Sequence, residues 1–94
     1  YPSTSRDIAL LVDEEREVGS IEKIIREHGE EILESVELFD VYRGKQVEEG
    51  KKSVAFKLVY RDGGKTLTDE EVAVVHNKVL DALKEKINAV LREI

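Results

Sequence analysis

The chain has 94 residues, of which 38% are charged and none is cysteine, methionine or tryptophan. This length predicts one domain with a modest core, and the missing cysteines exclude disulfides and thiolate metal sites. No apolar run reaches the roughly 20 residues that span a bilayer, and no signal-peptide pattern is present, so we expect no membrane partner. Because the sequence starts at Tyr1 rather than methionine, we expect either a piece of a longer protein or a chain freed of a tag.

The charges are distributed unevenly along the chain. The formal net charge is -6, yet residues 43–65 carry seven lysines and arginines against three acids, a local charge of +4 that leaves -10 elsewhere. A basic segment on an acidic body can steer a polyanion to one face of a protein. An ordinary solvated surface explains the same run equally well.

Strand and helix patterns alternate in the first half of the chain. Residues 6–12 alternate apolar side chains with others, which predicts a first strand. Isoleucines at helical spacing follow, with Ser20 as the expected N-cap and Gly29 as the expected end, because glycine accepts the left-handed conformation after a last turn. Residues 33–42 then predict a second strand.

Residues 38–56 contain the end of that strand, a glycine-containing loop and the start of a third strand, predicted at 52–60. Side chains in a strand alternate between two faces, so each strand has one core-facing set. The strand residues predicted to face the core are Ile8, Leu10, Phe39, Val41, Val54, Phe56 and Leu58.

The second half of the chain predicts a long helix with a clear start. Thr68 and Glu71 have the capping-box spacing, in which each side chain accepts a hydrogen bond from the backbone amide of the other residue. Apolar residues then recur at helical spacing from Val72 to Ile87. We expect residues 89–94 to form a short last strand rather than to extend the helix.

The order strand, helix, strand, strand, helix, strand predicts an α+β fold. Two split crossovers give the ferredoxin-like βαββαβ sandwich, a four-stranded antiparallel sheet with two helices on one face and its first and third strands central. We expect residues 1–94 to form this single domain. The residues expected on the face without helices, the open face, are Ala9, Asp40, Tyr42, Ser53, Ala55 and Lys57.

No catalytic site is recognisable in the sequence. His28 and His76 lack a second ligand at metal-binding spacing, so each is expected to be a surface or half-buried histidine. The glycine pair at 63–64 lacks the lysine-serine ending of a phosphate-binding loop. No serine or threonine comes with a histidine-acid pair. We therefore expect a domain that is not an enzyme.

A single-stranded nucleic acid suits the open face better, because unpaired bases stack on aromatic rings and are read through their edges. Tyr42 offers a stacking plane, and Asp40, which only accepts hydrogen bonds, favours a guanine edge with its N1 and N2 donors. Ser53 can donate or accept, while Ala9 and Ala55 would let a base lie flat. The lysines expected to neutralise phosphates at the rim of this face are Lys45, Lys51, Lys52 and Lys57.

Plain structural roles explain the same residues. Tyr42 would then only cover a strand end, Asp40 would keep an exposed face soluble, and Ser53 would end a loop. Open faces are common in antiparallel sheets, so the pattern alone does not decide between these readings.

Five short motifs fall in the order and at roughly the spacing of one known domain. They are Tyr1-Pro2 with Arg6-Asp7, Leu38-Phe-Asp-Val-Tyr42, Glu49-Gly-Lys-Lys-Ser53, Thr66-Leu-Thr-Asp-Glu-Glu-Val72 and Leu91-Arg92. Through them essentially the whole chain resembles the ferredoxin-fold anticodon-binding domain at the C-terminus of the phenylalanine–tRNA ligase beta chain.

The resemblance implies a non-catalytic module that holds the anticodon loop of a tRNA, chiefly its first base, a guanine. It implies that Asp40 and Tyr42 contact that base, that Ser53 contacts neighbouring nucleotides, and that Ala9 and Ala55 form the floor. It also implies a cytoplasmic protein whose other partner is the remainder of the synthetase. No cofactor is implied in this domain, because the parent enzyme uses ATP and magnesium on other domains.

Some features depart from that family. The acidic body and the Gly63-Gly64 turn are not expected of an RNA-facing surface. A high charged fraction without methionine, cysteine or tryptophan suits either a thermophile or a redesigned protein. The alternatives are therefore an engineered ferredoxin-like scaffold with no RNA-binding activity, or a module that uses its open face to bind protein.

Overall fold

The computed structural model describes residues 1–92. Its elements follow the predicted order, and the fold is the ferredoxin-like α+β sandwich expected from the sequence. The last predicted strand, 89–94, is present over 90–92; Ala89 is described but precedes the strand, and residues 93–94 lie outside the described residues. The elements are β1 (Thr4–Asp13), α1 (Val18–His28), β2 (Leu33–Tyr42), β3 (Lys51–Tyr60), α2 (Asp69–Ile87) and β4 (Val90–Arg92).

The sheet has the order β2-β3-β1-β4, and all three of its strand pairs are antiparallel. The strands β1 and β3 are central, as predicted. One face of the sheet packs against both helices, and the even-numbered residues of β1 and β3 supply most of its buried side chains. The largest fully buried side chains are Tyr60, Phe56, Leu10, Ile21, Ile25, Leu58 and Leu83.

A β-bulge in β2 overturns one core assignment. Leu38 lies opposite Phe56, but Asp40, two residues later, lies opposite Ala55, so Phe39 is an extra residue without a partner in the ladder. The bulge moves Leu38 towards the core, where it packs against the buried cluster. The Phe39 side chain is 51% exposed and is not a core residue. The predicted alternation failed here because a bulge shifts the phase of a strand by one residue.

The two ends of α1 also differ from the prediction. The helix begins at Val18 with Glu17 as N-cap, and the Ser20 hydroxyl donates to the Glu17 carbonyl oxygen at 2.7 Å from inside the first turn. Gly29 has φ -77°, and it is Glu30 that has the left-handed φ of 57°. Gly29 is required for space instead, because a Cβ atom built on it would lie 2.5 Å from Cβ of Leu33.

Helix α2 has the predicted capping box. The Thr68 side chain accepts from the Glu71 amide at 3.1 Å, and the Glu71 carboxylate accepts from the Thr68 amide at 3.2 Å. Its apolar stripe is buried against the sheet at Val72, Val75, Val79, Leu83 and Ile87. The helix ends at Asn88, which has a left-handed φ of 53° and turns the chain into β4.

Candidate nucleic-acid interface

The centre of the open face is a row of four side chains that crosses the whole sheet. Asp40 lies opposite Ala55, Ala55 lies opposite Ala9, and Ala9 lies opposite Arg92. Directly opposed residues have Cβ atoms about 4.5–5.5 Å apart, so the carboxylate of Asp40 borders a flat floor of two methyl groups. Arg92 is the residue at the other end of that floor.

The next row carries the tyrosine. Tyr42 lies opposite Ser53, Ser53 opposite Leu11, and Leu11 opposite Val90. The Tyr42 ring is 41% exposed. The strand rise of about 3.4 Å per residue puts this row roughly 7 Å from that of Asp40. A phenol, a carboxylate and a hydroxyl therefore stand side by side on the open face, as the alternation of the strands predicted.

Gly44 lies against the Tyr42 ring. It has a φ of +153°, and a Cβ atom at this position would lie 3.0 Å from the Tyr42 hydroxyl oxygen. The loop behind it is held by the buried Val47, whose amide donates to the Gly44 carbonyl oxygen at 3.0 Å. The close approach of the Gly44 backbone restricts the positions open to the phenol ring.

A third row lies on the other side of Asp40. Here Lys57 lies between Glu37 and Asp7, and these residues line a shallow concavity together with the exposed ring of Phe39. Lys57 is exposed on the open face, where the sequence placed it. The bulge in β2 is what brings Phe39 to the same concavity.

The rim lysines are placed differently from one another. Lys51 lies on the open-face side of β3, and its amine donates to the Asp13 carboxylate at 2.6 Å. This contact holds the pKa of Asp13 below its usual value and raises the pKa of Lys51. Lys52 is adjacent, so it points to the helix face, and it is 5% exposed. The expected position of Lys52 at the rim of the open face is therefore wrong.

The basic segment 43–65 is less positive in space than in sequence, because acids from other parts of the chain approach it. Arg43 lies 3.6 Å from Glu14, Arg61 lies 3.6 Å from Glu34, and Lys65 binds Glu71. Partly exposed pairs of this kind are weak and salt-sensitive. They nevertheless balance most of the local charge, and Lys45, Lys52 and Lys57 are the cations of the segment that have no acid within 4 Å among the described residues.

Other kinds of site find little support in residues 1–92. No group of three or more histidine, aspartate or glutamate side chains there could hold a metal ion. The His76 ring bonds the Tyr60 hydroxyl, and Nδ1 of His28 lies 2.8 Å from the Ile24 carbonyl oxygen. No helix in the same range is long and apolar enough to cross a membrane.

Phe39 and Arg92 are among the open-face residues that sequence reasoning missed. Two consecutive apolar residues, Leu38 and Phe39, interrupt the alternation of β2, and this interruption is the local signal of a bulge. The sequence offered Arg92 only as part of a short motif. Its neighbours across the sheet depend on the register in which the short β4 pairs with β1.

Comparison with known proteins agrees with this fold. The model of the family described as ferredoxin-fold anticodon binding domain matches residues 1–92. The phenylalanine–tRNA ligase beta subunits of Clostridium tetani, Geobacillus kaustophilus and Bacillus subtilis are 54%, 52% and 52% identical to the chain over 92 residues. The match covers 98% of this chain but only 11–12% of the length of these relatives. The chain belongs to the family of ferredoxin-fold anticodon-binding domains.

Proposed function

We propose that this domain binds the anticodon loop of a tRNA on its open face, as a non-catalytic module of a phenylalanine–tRNA ligase beta chain. The observation that carries the proposal is the row in which Asp40 borders the two alanines Ala55 and Ala9, with Tyr42 in the next row. A flat floor, a hydrogen-bond acceptor and an aromatic ring are the parts needed to hold one unpaired base.

Asp40 gives the site its preference among bases. A carboxylate only accepts hydrogen bonds, so it pairs with an edge that presents N–H groups. Guanine offers two such groups, at N1 and N2, whereas the corresponding edge of adenine has an acceptor at N1. Asp40 is exposed and has no ion-pair partner among residues 1–92, so both carboxylate oxygens are free for a guanine as the first anticodon base.

Tyr42 and Ser53 complete the subsite. Stacking of a base on an aromatic ring contributes about 1–3 kcal/mol and accepts any base, so Tyr42 supplies affinity more than selectivity. Ser53 lies opposite Tyr42 and can donate to or accept from the base or the adjoining ribose. The floor residue Ala55 is 8% exposed, and any larger side chain there would hold the base off the sheet.

Phosphate contacts are limited in this proposal. Lys57 is available to contact a phosphate. Lys51 can do so only by leaving or sharing its pair with Asp13, and Lys52 is buried. Few phosphate contacts mean a shallow dependence of affinity on salt. The isolated domain should therefore bind weakly, and other parts of a synthetase would add affinity through linked binding. We place the function in the cytoplasm, with no cofactor in this domain and the aminoacylation chemistry on other domains.

Titration of the 94-residue chain with three RNA hairpins tests the proposal. The hairpins carry guanine, inosine or adenine as the first anticodon base, and NMR shift changes report the dissociation constants. We expect guanine to bind best, inosine several-fold more weakly because it lacks the 2-amino group, and adenine about tenfold more weakly. Tyr42→Ala should weaken binding of all three hairpins alike.

Asp40→Asn is the variant that separates base reading from general affinity. It should abolish most of the preference for guanine, while Asp81→Asn, an exposed acid on α2, should leave the preference intact. Equal affinity for the three hairpins in the unmodified chain would contradict the proposed reading of guanine. Absence of any RNA binding would favour the alternative of a scaffold without this activity.

A further inference from the structure

We propose that Gly44 closes one face of the Tyr42 ring, so that a base stacks only on the other face, on the side of Asp40. Gly44 is then a positioning residue, and the buried Val47 holds it in place, although neither residue contacts the RNA. The inference rests on the proposed function, because it concerns how the same ring takes its base.

The first argument is the way in which the Gly44 backbone meets the ring. A Cβ atom on Gly44 would lie 3.0 Å from the Tyr42 hydroxyl oxygen, 3.3 Å from Cζ and 3.7 Å from Cε1. Given the bond lengths of a phenol, no atom in the plane of the ring is at these three distances at once. The position therefore lies over one face of the ring, near the hydroxyl, and a base cannot stack there without displacing the loop.

The second argument is direction along the chain. Gly44 follows Tyr42 by two residues, and Asp40 precedes it by two. Since two residues of strand span about 7 Å, Gly44 and Asp40 lie on opposite sides of the ring. The uncovered face is thus on the side of Asp40 and of Ala55, which lies opposite Asp40. A base stacked on this face is beside the carboxylate that reads it.

The third argument is the anchoring of the loop between β2 and β3. Val47 is 9% exposed, and its amide donates to the Gly44 carbonyl oxygen at 3.0 Å. At the other end of the loop, the Gly50 carbonyl oxygen accepts from the Glu14 amide at 2.9 Å. The loop is therefore tied to the body of the domain at two points, and this keeps Gly44 against the ring.

Closure of one face changes what stacking contributes. An aromatic ring stacks any base, so a ring open on both faces would also hold bases that never reach Asp40. With one face closed, the affinity that Tyr42 supplies is available only to a base beside the carboxylate. We therefore expect Gly44 and Val47 to increase the preference for guanine without contacting it.

NMR of the free chain tests whether the face is covered. Protons above an aromatic ring are shielded, so a Gly44 Hα resonance should lie upfield of the usual range for glycine. Tyr42→Leu should return it to that range, because the ring is gone. A Gly44 resonance that does not respond to Tyr42→Leu would overturn the inference, and this measurement needs no RNA.

A buried valine tests the effect on selectivity. Hairpins with guanine or adenine as the first anticodon base are titrated against Val47→Ala, which loosens the loop. The preference for guanine should fall about threefold. Val75→Ala is the matched control, because Val75 is similarly buried, at 7% exposed, but lies on α2, and it should keep the preference. An unchanged preference in Val47→Ala would overturn the inference.

Two glycines of the same loop test the contact itself. Gly44→Ala should displace the ring and weaken binding of the guanine hairpin about threefold to fivefold, but less than about twofold in a Tyr42→Phe background, which lacks the hydroxyl oxygen. Gly50→Ala is the control for backbone strain, because Gly50 has a φ of +83° but no atom within 4 Å of its Cβ position. Equal losses for the two alanine variants would assign the effect to strain and overturn the contact.

The failures of the two proposals are distinguishable. If the unmodified chain prefers guanine but the Gly44 resonance is insensitive to Tyr42→Leu, the closed face is wrong and the proposed function stands. The same conclusion follows if Val47→Ala keeps the full preference. If the unmodified chain binds no hairpin, the proposed function fails, and the selectivity assigned to Gly44 fails with it.

Discussion

The Tyr60 hydroxyl oxygen lies 2.8 Å from Nδ1 of His76, and the two rings meet edge to face with their centroids 5.8 Å apart. The direction of this hydrogen bond depends on the tautomer of the imidazole. Tyr60 is fully buried, and burial raises its pKa to about 12. Burial lowers the pKa of His76, and the nearby charge of Arg6 lowers it further. The pair links β3 to α2 beneath the sheet, away from the open face.

The lowered pKa of His76 predicts a loss of stability in mild acid. Between its folded pKa and the usual value of 6.5, the unfolded chain binds a proton that the folded chain does not, so the free energy of unfolding falls as the pH falls through this range. Urea unfolding at a series of pH values should show the decline beginning near pH 6.5. His76→Gln should remove this part of the slope; an unchanged slope would contradict the assignment.

Two glycines, Gly19 inside α1 and Gly29 just after it, predict opposite changes in the free energy of unfolding when each is replaced by alanine. Gly19→Ala should raise the free energy of unfolding by about 0.5–1 kcal/mol, because the added methyl meets no atom within 4 Å and alanine favours helix. Gly29→Ala should lower it by about 1–3 kcal/mol, because its methyl would overlap Leu33. Chemical denaturation of both variants measures the difference. Two changes of the same sign would contradict the steric role of Gly29.

The bulge in β2 predicts which of two adjacent apolar residues stabilises the fold. Leu38→Ala should cost about 2 kcal/mol, because Leu38 packs against the buried cluster. Phe39→Ala should cost less than about 1 kcal/mol, because half of its ring is already in water. Thermal unfolding of the two variants tests which one loses more stability. A larger loss for Phe39→Ala would mean that β2 has no bulge at this point and that Phe39 faces the core.

Two lysines of β3 should contribute differently to RNA binding. Lys57→Met should reduce the slope of log affinity against log salt by about 1, because Lys57 is exposed on the open face and available to a phosphate. Lys52→Met should change neither slope nor affinity, because Lys52 lies on the helix face and is 5% exposed. The measurement is hairpin affinity at several salt concentrations. A reduced slope for Lys52→Met would contradict its placement.

The capping box of α2 should contribute measurably to stability. Thr68→Ala removes the acceptor for the Glu71 amide and should lower the free energy of unfolding by about 1 kcal/mol. Thr66→Ala is the matched control, since Thr66 is exposed and lies before the cap. Equal losses in the two variants, measured by urea denaturation, would show that the hydrogen bonds of the cap contribute little.

Local patterns in the sequence determined the elements of this protein and most of its open face. The period-two alternation of β1 and β3 fixes which of Ala9, Ser53, Ala55 and Lys57 share a face, because neighbouring side chains in a regular strand must point to opposite sides. The capping box around Thr68 is likewise complete within four residues. For such features the interacting groups are close in sequence, and residue type alone specifies them.

Tertiary structure decided the rest. The side of the sheet on which Phe39 lies depends on how β2 pairs with β3, and the balance of charge depends on pairs such as Lys51 with Asp13, which are 38 residues apart. Arg92 reaches the row of Asp40 only because β4 pairs with β1 at that register. Register and ion pairing join residues distant in the chain, so no local pattern contains them, and they become fixed only when the strands and helices pack together.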